Sequence, residues 1–382
     1  MTPNPVAGNA RDARIDALRA IAALSVLLFH AQNSWYLGVG SDIATADRLR
    51  LRDTWLGLGS SPLTLGFLGL NLFFVLSGLC IHAWYLGARE RGATFSYGAY
   101  MKRRFWRIYP AYAAAIGFSL ACLGLAEWIR FERLGANEAS AYAANWLWQT
   151  LRYLSFTHTL SVDTFGGYNA PLYTMAIEFH FYLAYPLVLL AFHRFGPVKT
   201  LVLSALLSLA CTAIALASRD PSLHRLVLDS LLVRWPEWIA GCLIAELWFR
   251  ARRGEPLPLA GPRVYTASAA CFVAALGIQV ATGVAPNLLW SASLALLVPA
   301  YLMRRNALQR WELLLAGVGL FSYSIYLLHW PLLRLAALWF PPARESLAAH
   351  ALVFSAVALA TIFVARGFFA LFERPFLAAR AR

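Results

Sequence analysis

Apolar residues run in blocks of spanning length through almost the whole chain, with short polar breaks between them. The blocks fall at about 14 to 36, 63 to 87, 105 to 127, 172 to 193, 198 to 217, 229 to 250, 264 to 283, 286 to 303, 313 to 335 and 347 to 372. A helix of about 20 largely apolar residues crosses the ~30 Å hydrocarbon layer of a bilayer. The pattern predicts an all-α, polytopic integral membrane protein with about ten transmembrane helices.

Two breaks are longer than the others, 38 to 62 and 128 to 171. In the second, YAANWLWQTLRYLSF predicts an interfacial or re-entrant amphipathic helix, and this segment is the expected rim of a substrate site. Residues 1–13 read as a cytoplasmic tail without a targeting motif, 14–376 as one membrane domain and 377–382 as a second cytoplasmic tail. The first block is too long for a cleaved signal peptide and no small-x-small site follows it, so it is expected to stay in the membrane.

Composition narrows the class. Hydrophobic residues make up 60% of the 382 and charged residues only 14%, with a mean hydropathy of +0.57, which speaks against a soluble multidomain protein. The formal net charge of +14 suggests a polyanionic partner until the cations are placed. With a cytoplasmic N-terminus, that side holds Arg11, Arg14, Arg89, Arg91, Lys102 to Arg104, Arg250, Arg252, Arg253 and Arg310 among others, and it outweighs the opposite side by roughly two to one. Both termini are therefore predicted cytoplasmic, the basic excess is topological, and nucleic acid is not an expected partner. Cys80, Cys122, Cys211, Cys242 and Cys271 stand singly in apolar runs, so neither a metal site nor a disulfide framework is predicted.

Several polar groups lie inside the blocks, where they are costly and face the protein interior or a wet cavity. Arg19 and His30 are eleven positions apart, about three helical turns or roughly 16 Å, and so share a face. Packing of the histidine with a snorkelling arginine explains this equally well. KRRFWRIYP puts Arg103, Arg104 and Arg107 within about a turn, a cluster suited to phosphate but also to positive-inside anchoring. GLNLFFVLSGLCIH places Ser77 and Gly78 for close helix packing and His82 for reaching the headgroups. PLYTMAIEFHFYLAYP carries Glu178 within a span, for structural pairing or catalysis, and Arg234 and Glu237 are spaced to pair with each other. FSYSIYLLHWPLL sets Ser322, Tyr326 and His329 on one helix, where they line a polar channel or join helices, and the closing FERPF is positioned to clamp the arginine cluster.

Taken in order, the Arg19 and His30 motif, GLNLFFVLSG, RRFWRIYP, PLYTMAIEFHFY, RWPEWIAG and SYSIYLLHWP resemble acyltransferase family 3, the membrane O-acyltransferases that acetylate lipopolysaccharide O-antigens and exopolysaccharides. Asn71 and Tyr173 depart from the aspartate and tryptophan frequent in that family, and the resemblance is to its single-domain type. It implies a multi-pass protein of the bacterial inner membrane. The donor would be cytoplasmic acyl-coenzyme A, with acetyl the expected group, and the acceptor a hydroxyl of a carbohydrate or lipid-linked glycan. It also implies donor phosphates at Arg19, Arg103, Arg104 and Arg107, and His30 as the base or as a transient acyl carrier. Glu178 would orient His30 or bind the acceptor, and Ser322, Tyr326 and His329 would line the acceptor path. The alternatives are acylation of a non-glycan small molecule, or a transporter or flippase using the buried Arg, Glu and His as an ion path, although no inverted repeat is visible.

Overall fold

The computed structural model describes residues 5–36, 66–134, 139–218, 220–255, 262–282, 286–304, 306–339 and 347–378. The predicted outer segment 38 to 62 lies outside these residues. A helix covers each of the ten apolar runs: α1 Pro5–Tyr36, α2 Phe67–Glu90, α3 Tyr97–Leu134, α5 Tyr173–Phe195, α6 Pro197–Ala217, α8 Leu231–Arg252, α9 Pro262–Thr282, α10 Asn287–Leu302, the pair α11 Arg310–Gly319 and α12 Ser322–Trp339, and α13 Leu347–Phe368. The remaining α-helices among the described residues are α4 Ala139–Leu154, α7 Pro221–Leu228 and α14 Arg374–Ala378. There is no strand among the described residues.

Five of these helical stretches are long and apolar enough to cross a bilayer, or six if α11 and α12 count as one broken span. One expectation about the helices needs correcting: the run at 313 to 335 is not one helix but is interrupted after Gly319. At this interruption a Cβ on Gly319 would sit 1.9 Å from the carbonyl oxygen of Asp16. Only glycine allows the backbones of α1 and α11 to come so close.

Most outward-facing side chains on α6 and α13 are apolar, Lys199, Ser355 and Arg366 being exceptions. Val202, Leu203, Leu206, Leu352, Leu359 and Phe363 are exposed, Phe363 by 80%. Water would penalise such a surface, whereas lipid tails match it.

The described residues form two compact units, one of 5–25, 66–97 and 183–322, the other of 26–36, 98–182 and 323–378. The core of the first is the crossing of α2 and α8. A Cβ on Gly78 would lie 2.0 Å from Trp238 O, and one on Gly241 would lie 2.0 Å from Val75 O. Trp238 Nε1 donates to Ser77 Oγ at 3.2 Å, so the small pair read as a packing motif is one. Arg234 is buried with Glu237 at 3.1 Å and Asn71 Oδ1 at 2.6 Å, as its spacing suggested. His82 is corrected: instead of reaching the headgroups it is buried, hydrogen-bonded to Tyr185 OH at 2.9 Å and Glu246 Oε1 at 2.9 Å. Buried Arg14 donates to Arg304 O at 2.7 Å and Asn306 O at 2.5 Å, with Glu312 3.6 Å away.

In the second unit α4 forms where the amphipathic pattern placed it, with Leu147, Trp148 and Leu151 exposed. It ends in a Schellman arrangement, Thr157 N–H to Arg152 O and Phe156 N–H to Tyr153 O, with Phe156 at φ 57° where glycine is usual. The left-handed backbone costs a non-glycine residue roughly 1–2 kcal/mol. Burial of Phe156 between Tyr112 and Phe179, ring centroids 4.5 and 4.4 Å away, offsets that cost. Just beyond, His158 lies flat on Tyr153, centroids 3.9 Å apart and planes within 5°. Burial lowers the His158 pKa to about 4, because the charged ring would lose its water.

Candidate active site

Helix α1 carries His30 and helix α12 carries His329. His30 Nδ1 and His329 Nε2 are 2.8 Å apart. The rings are within 19° of coplanar with centroids 5.0 Å apart, so they meet edge to edge through this hydrogen bond and do not overlap face to face.

The proton positions follow from the next contact. His329 Nδ1 lies 2.6 Å from the carbonyl oxygen of Tyr326, which can only accept, so Nδ1 carries the proton. In a neutral ring Nε2 is then bare and accepts from His30 Nδ1–H. That leaves the basic lone pair of His30 on Nε2. His329 is fully buried and His30 only partly, so the fixed ring is inside and the reactive nitrogen belongs to the more open one. Trp330 meets His30 edge-on, centroids 5.1 Å apart.

The polar side-chain groups of Tyr326, Glu178 and Arg107 bond to partners outside the dyad. Tyr326 is buried and its hydroxyl is 2.8 Å from Pro171 O and 2.6 Å from Thr174 Oγ1; it serves the site through its carbonyl. Glu178 accepts from Tyr182 OH at 2.5 Å, and Tyr182 presents its ring to the guanidinium of Arg104 at 6.0 Å. Arg107 pairs with Glu373 at 2.7 Å and lies over the Tyr323 ring at 5.8 Å, with Ser324 Oγ also donating to Glu373 at 2.8 Å. The clamp read from FERPF is therefore present. Arg103 is exposed beside them.

In the first unit, Ser322 is buried at the start of α12. Arg19 donates to Asp16 Oδ1 at 2.9 Å and to Cys80 Sγ at 3.3 Å. It lines a cavity of about 460 Å³ with Asp12, Trp84, Trp248 and Arg252. Arg252 lies over the rings of Trp248 at 5.1 Å and Phe249 at 5.5 Å. In the sequence Arg252 belongs to the positive-inside pattern and neither tryptophan stands out, because in a membrane chain interfacial aromatics and basic residues are common everywhere. Among the described residues no group of three or more His, Cys, Asp or Glu is placed to hold a metal ion.

A family profile described as an acyltransferase domain matches residues 12–366. O-acetyltransferase OatA of Staphylococcus aureus (strain NCTC 8325 / PS 47) is 25% identical over 241 residues, 61% of this chain and 34% of the relative. Peptidoglycan O-acetyltransferase OatA of Listeria monocytogenes serovar 1/2a is 27% identical over 350 residues, 84% of this chain and 49% of the relative. A putative peptidoglycan O-acetyltransferase of Bacillus subtilis (strain 168), YrhL, is 27% identical over 245 residues, 61% and 33% of the two chains. The chain thus spans a third to a half of the length of these curated relatives. No solved structure matches.

Proposed function

Because the chain belongs to the acyltransferase-domain family, whose profile covers residues 12–366, we propose that it is a multi-pass membrane O-acyltransferase moving an acyl group, acetyl first, from cytoplasmic acyl-coenzyme A to a hydroxyl of a cell-surface glycan. The proposal includes about ten crossings, both termini in the cytoplasm and residence in the bacterial inner membrane. Two of the relatives are named for peptidoglycan, so peptidoglycan joins lipopolysaccharide and exopolysaccharide as an acceptor and is the first to test.

One observation carries the reading: the His30 and His329 hydrogen bond with Tyr326 O behind it. In the proposed reaction His30 Nε2 takes the proton of the acceptor hydroxyl as that oxygen attacks the thioester carbonyl. The C–S bond then breaks, and the imidazolium returns its proton to the leaving thiolate. A base so placed contributes about 10²–10⁴-fold. His329 is the positioning residue that holds His30 in the competent tautomer. Support for the donor is the cavity with two arginines, Arg19 and Arg252, beside two indoles, since guanidinium suits phosphate and indole suits a flat base. Arg103, Arg104 and Arg107 give the other unit a second phosphate-favouring surface, and Glu178 stays a proposed support of that surface through Tyr182.

The test measures transfer of labelled acetyl from acetyl-coenzyme A to peptidoglycan fragments per unit of inserted protein. His30→Ala and His30→Gln should both abolish transfer while still binding donor, because glutamine hydrogen-bonds but cannot take a proton near neutral pH. Substantial turnover by either variant refutes His30 as the base.

A further inference from the structure

The helix that holds His329 continues into a second polar recess that the dyad does not use. Pro331 and Arg334 of α12 line it with Ser119 and Glu127 of α3 and Tyr168 of the loop after α4. All belong to the same unit as the dyad. Its volume is about 70 Å³. A water needs at least roughly 10–15 Å³ of such space, so the recess admits the few oxygens along one edge of a sugar ring, with the rest of the ring outside.

Its chemistry is unusual for an apolar domain. A guanidinium, a carboxylate, a phenol and a hydroxyl converge there beside leucine side chains. Hydroxyl groups both donate and accept, so recognising two neighbouring ones takes a donor fork and an acceptor together, while apolar walls cover the C–H faces between them. Two threads tie the recess to the dyad. The guanidinium of Arg334 lies 5.9 Å from the Trp330 ring centroid, and the same indole meets His30. Ser119 Oγ receives Asn169 Nδ2 at 2.8 Å, and Asn169 also donates to Leu327 O at 3.4 Å, on the turn of α12 before His329. Arg334 is five residues beyond His329, about 7.5 Å along the helix. Trp330 Nε1 is buried and has no hydrogen-bond partner, a donor in want of an oxygen.

We infer that this recess is an acceptor subsite, binding the vicinal hydroxyls of a pyranose through Arg334 and Glu127 so that a neighbouring hydroxyl is presented to His30. The inference rests on the acyl-transfer reading of the dyad.

The experiment uses the full chain in detergent with acetyl-coenzyme A and two acceptors: a β-1,4-linked glucose tetrasaccharide, whose pyranose units carry vicinal hydroxyls, and 1-propanol, which has none. Arg334→Ala and Glu127→Gln should each raise the KM for the tetrasaccharide about tenfold or more, change its kcat less than about threefold, and leave the KM for 1-propanol in place. Leu335→Trp, which fills the recess without touching its charge, should do the same and guards against misfolding of the arginine variant. Unchanged tetrasaccharide KM in all three variants overturns the subsite, as does an equal rise for 1-propanol. If the unaltered chain acylates neither acceptor and does not hydrolyse the thioester, the acyl-transfer reading itself fails, and the subsite with it.

Discussion

His30 and His329 stand 299 positions apart in the chain and share one hydrogen bond of 2.8 Å. The buried ring spends its other nitrogen on a backbone carbonyl. Removing it should therefore change the tautomer of His30 more than its location. His329→Ala is expected to lower kcat by about 10²–10⁴-fold with donor affinity retained. His329→Gln, whose amide oxygen can accept from His30 Nδ1–H, should recover part of that loss. Equal activity in both variants would mean that the contact is packing alone.

Arg107 of the arginine cluster forms an ion pair with Glu373 at 2.7 Å. Charge-assisted contacts of this kind are worth about 1.5–3 kcal/mol. Glu373→Gln should lower thermal stability in detergent without weakening acyl-coenzyme A binding. Arg104→Ala should weaken donor binding by about tenfold or more if the cluster holds phosphate. Unchanged donor affinity in Arg104→Ala would leave the cluster as a topology signal.

The α2 and α8 crossing gives a sharper stability test. At Gly78 and Gly241 an added Cβ would fall 2.0 Å from a backbone oxygen, which no rotamer change relieves. Each alanine variant should lose more than the ~1–3 kcal/mol typical of overpacking and elute largely as aggregate. Gly117 has nothing within 4 Å of its Cβ position, so Gly117→Ala should hold or gain up to about 1 kcal/mol. Melting curves of the three variants decide it.

His158 predicts a weakness to acid. Its folded pKa of about 4 lies below the ordinary value near 6.5, so the folded state binds fewer protons than the unfolded one. Stability is full above about pH 6.5 and falls by up to ~1.4 kcal/mol per pH unit until about pH 4. Thermal melts from pH 7.5 to 4.5 should show His158→Gln losing less stability on acidification than the unaltered chain. Parallel slopes would contradict this.

Orientation is open to a direct test. Reporter fusions after Arg253 and Arg310 should report cytoplasm, and one after Pro221 the opposite side. Reversed signals at two of the three sites overturn the orientation derived from the basic residues.

Local features were legible in the sequence and long-range ones were not. The helices, the Ser77 and Gly78 packing, the Arg234 and Glu237 pair and α4 all come from spacing within one segment, which periodicity reports directly. The sequence shows His329 as a polar residue on a helix, but its union with His30 depends on tertiary packing and leaves no local trace. The same holds for His82, whose partners Tyr185 and Glu246 are 103 and 164 positions away. Glu178 showed as a charged group within an apolar run, and its partner Tyr182 stands one turn on, at the spacing a helix brings together.

The anchoring of Arg14 fixes an order of events during synthesis. Its two carbonyl acceptors lie 290 and 292 positions downstream. At a translation rate of about 5–20 residues per second, the helix made first waits roughly 15–60 s for the groups that secure its arginine. Through most of the chain's manufacture Arg14 lacks the carbonyls that secure it, although Arg19 on the same helix can already meet Cys80 of α2, and a ribosome that stalls before residue 304 leaves Arg14 without either acceptor.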